Sequence, residues 1–158
     1  MTHHDGHTHS DSEIATLNTL TATLIDSVNG FEDAASNTES EHLRSLFRDW
    51  ASQRQQAVED LRSEIRRLGG NPDDDGSFMG KTHQRFLDLK AAVMGRDDQA
   101  VVNEVERGED YLKEKFDTAL NGDTLSGEGR TIVDRAYQSV RAGHDKMSAL
   151  KHGMEATR

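Results

Sequence analysis

Three ionisable residues interrupt otherwise apolar stripes at similar depth in three separate helical patterns: Arg54, Glu109 and His144. Each stands where the alternating three- and four-residue spacing of a buried helix face calls for an apolar side chain. A charge stays buried only when it is paired or put to use. Two chemistries fit such a trio. In the first, Arg54 and Glu109 approach one another inside the protein with His144 one hydrogen-bonded step away, forming a buried polar network. In the second, Glu109 and His144, joined by Asp26 from an earlier helix, are ligands of iron or another divalent metal. A bland alternative stands beside both: a histidine on an apolar face is most often a satisfied core residue, and a seam arginine often extends its head to water.

Two further clusters carry metal-binding residue types. His3, His4, His7 and His9 alternate with Asp5 and Asp11 near the start of the chain. Imidazoles at that density capture divalent transition metals even in a flexible chain, so this tail is a second candidate metal site or simply a solvated segment. Downstream, Asn71, Asp73, Asp75, Gly76 and Ser77 follow the first half of a calcium-loop spacing. The closing bidentate glutamate is missing, because Thr82 stands there. No Gly-x-Ser-x-Gly elbow and no Gly-rich phosphate cradle occurs, which removes the hydrolase and nucleotide-binding classes those motifs mark.

The elements that must position these residues are helices. The chain of 158 residues contains a single proline, Pro72, and no cysteine. Little interrupts helix formation, and disulfide and thiolate-metal chemistry are excluded. A first helix is predicted over residues 12–35, with Ile14, Leu17, Leu24, Val28, Phe31 and Ala35 on one stripe. Thr38 with Glu41 has the spacing of a capping box, and a long second helix follows to Leu68, its stripe running through Leu43, Phe47, Trp50, Arg54, Leu61 and Ile65. Gly69 and Gly70 supply a left-handed stop. A loop at 71–77 leads to a short helix over 78–94, and Asp97 or Asp98 caps a third long helix carrying Val102, Val105, Glu109, Leu112, Phe116 and Leu120. The last helix spans 129–154, with Val133, Val140, His144 and Met147 on its seam. The expected organisation is a flexible His-rich tail over residues 1–11 and one domain over 12–155.

Charge limits the partners. With 19 Lys+Arg against 29 Asp+Glu the formal charge is -10, which repels nucleic-acid backbones and anionic lipid surfaces. No apolar run approaches the roughly 20 residues of a membrane span. The start of the chain also lacks the basic and apolar regions of a signal peptide, so a cytoplasmic setting is expected.

The segments "LNTL", "NGFEDAA", "RRLGG", "ERGEDYLKEKFDTAL" and "AGHDKMSAL" resemble a family of short bacterial ferritin-like four-helix-bundle proteins, a domain family of unknown function, over about residues 17–150. The resemblance implies an all-α bundle of two hairpins joined by a long crossover that carries the short extra helix. It implies no settled activity. A di-iron carboxylate bundle takes a Glu from each of two helices and a Glu-x-x-His pair from each of the others. Here Arg141 precedes His144 by three residues, and Arg54 and Gln55 occupy the second helix where ligands belong. The expected function is therefore a non-enzymatic, stress-related bacterial protein without a cofactor that acts through protein contacts. The alternative is a degenerate ferritin-like metalloprotein that binds or oxidises iron. A homodimer is expected, with Phe78, Met79 and Leu87 of the short helix as its apolar patch.

Overall fold

The computed structural model describes the backbone of residues 2–72 and 98–156, with side chains from residue 11 onward. Among the described residues are four helices and no strand: α1 (Thr2–Asn37), α2 (Glu41–Arg67), α3 (Asp98–Asn121) and α4 (Gly127–Ala156). The short crossover helix over 78–94, the dimer patch Phe78, Met79 and Leu87, and the acidic residues Asp73 and Asp75 of the calcium-like loop lie outside the described residues. Helix α1 begins ten residues before its predicted start, so its backbone is helical through His3, His4, His7 and His9.

Two caps differ in clarity from the sequence. The α2 N-cap is Ser40 rather than Thr38: Ser40 has extended backbone angles and its hydroxyl accepts from the Leu43 N–H at 3.2 Å. Thr38 is drawn away because its own hydroxyl donates to Asp98 Oδ1 at 2.8 Å, and the Glu39 N–H donates to the same oxygen at 3.1 Å. Asp98 thus ties the end of α1 to the start of α3. The other end of α2 closes as the glycine pair predicts. Gly69 has φ +89°, its N–H donates to Arg66 O at 3.0 Å, and the Gly70 N–H donates to Ile65 O at 2.9 Å. These two bonds satisfy carbonyls that the helix end would otherwise orphan.

Paired contacts set the topology. Phe31 meets Phe47 between α1 and α2, Thr16 meets Thr124 at the far end of α3 from Thr38 and Asp98, Ser139 meets Gln53 between α4 and α2, and Phe116 meets Tyr137 between α3 and α4. Every neighbouring pair is antiparallel, and α2 lies diagonally across from α3. Gly70 sits beside Ile14 at one end of the bundle, whereas Asp98 sits beside Thr38 at the other. The connection from α2 to α3 therefore starts and finishes at opposite ends of the bundle.

Two apolar clusters fill the interior. The larger joins Leu17, Leu24, Val58, Leu61, Ile65, Leu112, Phe116, Val133 and Val140, and the second joins Phe31, Phe47, Val101, Val102, Val105 and Met147. Phe31, Phe47, Phe116 and Leu61 are buried as predicted. Trp50 is only half-buried, because the seam step after Phe47 is taken by Ala51 and the indole lies along its edge. No described helix is long and apolar enough to cross a membrane.

Candidate functional site

Among the described residues Arg54 is the largest fully buried side chain, and it stands at the junction between the two apolar clusters. Its guanidinium makes a two-pronged ion pair with Glu109: Nη1 donates to Oε2 at 2.8 Å and Nη2 to Oε1 at 2.6 Å, with side-chain exposures of 0% and 2%. The pair crosses the bundle diagonal from α2 to α3. Helix α1 contributes Ser27, whose hydroxyl accepts from Arg54 Nη1 at 2.9 Å and lies 3.3 Å from Glu109 Oε2. Helix α4 contributes the Val140 carbonyl, 3.4 Å from Nη2. Phe31 and Trp50 close the cage, their ring centres 5.4 and 5.5 Å from the guanidinium carbon. A planar cation is weakly hydrated and stacks on aromatic faces, so an arginine tolerates this burial where a lysine would not.

The layer is possible because α4 presents Gly143 there. A Cβ at that position would fall against Arg54 Nη2 and within 3.0 Å of Glu109 Oε1 and 3.3 Å of the Trp50 ring. Between Val140 and Met147 a helix seam can step three residues then four, or four then three. The sequence pattern favoured His144, the apparent core position. The structure takes Gly143 inward instead, and His144 turns to the edge of the bundle with 20% of its side chain exposed. The placement of His144 beside the Arg54–Glu109 pair is thereby corrected: its ring nitrogens meet Asp110 and Asp145, while Glu109 meets Arg54 and Ser27.

The metal set of Asp26, Glu109 and His144 does not assemble either. Asp26 is buried in α1, Glu109 is consumed by Arg54, and His144 meets other carboxylates. A cation in the bundle centre would face the fixed positive charge of the guanidinium, so the residues present do not fit a ferritin-type metal centre there.

His144 Nε2 hydrogen-bonds Asp110 Oδ1 at 2.5 Å, and Nδ1 lies 3.3 Å from Asp145 Oδ1. One turn before Asp110 on the same face of α3, Glu106 completes a group whose three ligand atoms lie within 4.8 Å of one another. Lys151 Nζ approaches Glu106 Oε1 at 3.6 Å. Partial burial, the largest single influence on His144, pulls its pKa down. The hydrogen bonds and negative charges of Asp145 and Asp110 outweigh it and raise His144 above its ordinary 6.5.

Residues 12–122, which take in α2, α3 and α1 from residue 12 onward, match the model of a domain of unknown function, DUF2383. The chain belongs to this family. Among curated proteins none matches it. The matched span holds Ser27, Arg54, Glu106, Glu109 and Asp110, whereas Gly143 and His144 lie beyond it on α4.

Sequence reasoning missed Gly143, Ser27 and Asp110. Gly143 left a signal, since a glycine deep inside a helix costs about 1 kcal/mol against alanine and so marks a close approach. Ser27 and Asp110 left none, because a serine or aspartate beside a seam is ordinary.

Three outcomes follow from this geometry. Glu109→Ala leaves a guanidinium buried without its partner and should destabilise by about 3–5 kcal/mol, whereas the double replacement Arg54→Met with Glu109→Leu should be close to neutral. A double-mutant cycle in urea checks this, and additivity within roughly 0.5 kcal/mol would show that the two side chains do not interact. Gly143→Ala gains helix propensity yet displaces the caged guanidinium, so a net loss of about 1–3 kcal/mol is expected from overpacking. That loss should shrink in the Arg54→Met background, as a shift in urea midpoint would report. In an NMR titration the His144 ring should lose its proton above pH 6.5, and Asp110→Asn should lower that midpoint. Because the folded pKa is raised, the stabilisation from Asp110 is fully present below pH 6.5 and is lost as pH rises through the folded value.

Proposed function

We propose that the protein is a non-enzymatic helical bundle that acts through protein contacts, with a second copy of itself as the expected partner. The observation that carries this reading is the diagonal Arg54–Glu109 pair. Bundles that do chemistry build their sites in the core from side chains of facing helices. In this molecule the equivalent layer is committed to holding the helices together, which leaves the surface as the working part. An acidic surface with a formal charge of -10 favours protein partners over phosphate backbones. The expected setting, stress physiology in a bacterial cytoplasm, rests on the family resemblance.

The alternative, a bundle that oxidises iron, is separated by one measurement on the full chain with His3, His4, His7 and His9 replaced by serine. Ferrous ion in aerated buffer should oxidise no faster with this protein than without it, and a protein-dependent acceleration would overturn the non-enzymatic reading. Light scattering at high concentration is expected to give twice the chain mass of 17.6 kDa, and a persistent single-chain mass would remove the second copy as partner.

A further inference from the structure

We infer that Glu106, Asp110 and His144 form a binding site for one divalent transition-metal ion of the zinc type, placed on the outer seam between α3 and α4. The donors are a glutamate and an aspartate four residues apart, which share one face of α3, and an imidazole from α4. Two hard oxygens with one imidazole nitrogen suit zinc, cobalt(II) and their neighbours. The three ligand atoms already lie within 4.8 Å of one another. Metal–ligand bonds of 2.0–2.2 Å in a tetrahedral site place donors about 3.4 Å apart. The His144–Asp110 contact would open slightly and Glu106 would swing in, movements that side chains on a half-open seam can make. Three protein ligands leave a fourth position for water.

Two observations outside the trio support the assignment. Asp145 Oδ1 lies 3.3 Å from His144 Nδ1, while the other ring nitrogen, Nε2, is the one that meets Asp110. A carboxylate in that position holds the ring orientation and leaves Nε2 as the metal donor, the arrangement that zinc-bound histidines commonly show. The site also differs from the bundle centre in charge. Lys151 Nζ, 3.6 Å from Glu106 Oε1, is a primary amine on a flexible stem that can move aside for an incoming ion. The core pair faces a guanidinium from which it cannot separate. On binding, the ion would take the place of the His144 proton and add a link between α3 and α4 beside the Lys151–Glu106 contact.

The inference goes beyond the reading of the protein as a contact-making bundle and stands or falls separately, since zinc is redox-inert and its binding requires no catalysis. The test uses the full chain with His3, His4, His7 and His9 replaced by serine, titrated with zinc chloride in a calorimeter. One ion per chain is expected. His144→Gln, Asp110→Asn and Glu106→Gln should each weaken binding at least tenfold, and Asp145→Asn should weaken it by about tenfold through the orientation of the ring. Lys151→Gln should tighten binding, a gain that mere loss of structure cannot produce. Circular dichroism confirms that each variant is folded. Cobalt(II) gives a second readout, with a visible absorption band of a four-coordinate site that disappears in His144→Gln. Zinc binding that survives His144→Gln unchanged, or no binding above background, would overturn the assignment.

Discussion

One buried ion pair lies at the point where all four helices meet. Arg54 reaches across the bundle diagonal to Glu109, and the same guanidinium touches Ser27 of α1 and the backbone of α4. A contact between adjacent helices constrains two elements. A diagonal contact with partners on the remaining two constrains four, and it does so at a single depth. Because the charges are removed from water, a slip of any helix by one turn would separate a charge from its partner inside an apolar core, at a cost of about 3–5 kcal/mol. The pair thus selects register even where its net contribution to stability is small.

The surrounding residues follow from that constraint. A guanidinium needs width that a close-packed seam does not offer, so α4 has Gly143 where a side chain would collide with it. The flat faces of the cation need apolar cover, which Phe31 and Trp50 supply, and Trp50 lies half-exposed because it caps the cage from its rim. Above and below this layer the apolar clusters resume. The polar centre therefore divides the core into two blocks without leaving the charged groups unpaired.

Polar contacts of a different kind lie on the α3–α4 seam. Asp110 is the neighbour of Glu109 in the chain, yet the roughly 100° turn between successive helical residues sends the two carboxylates to different places, one to the arginine and one to His144. Adjacent residues of one sign thus serve two unrelated purposes. The interior carboxylate is locked against a permanent cation. The outer one meets an imidazole whose charge can change with pH.

By itself the sequence determined the four described helices, most of the stripe each one buries and the presence of charged residues at the core positions of α2 and α3. Those features are local: they depend on the 3.6-residue period, on glycine stops such as Gly69 and on cap chemistry. Arg54 and Glu109 were legible as interior charges for that reason. Tertiary structure alone decided that Arg54 meets Glu109 across the diagonal, that Thr38 serves Asp98 and leaves the cap to Ser40, and that Gly143 rather than His144 turns inward. A periodic pattern fixes a residue's angle around its own helix only to within one residue step, and near Val140 that step separates a glycine from a histidine. The ambiguity is settled by the neighbour across the seam: a buried guanidinium leaves room for a hydrogen atom and none for an imidazole.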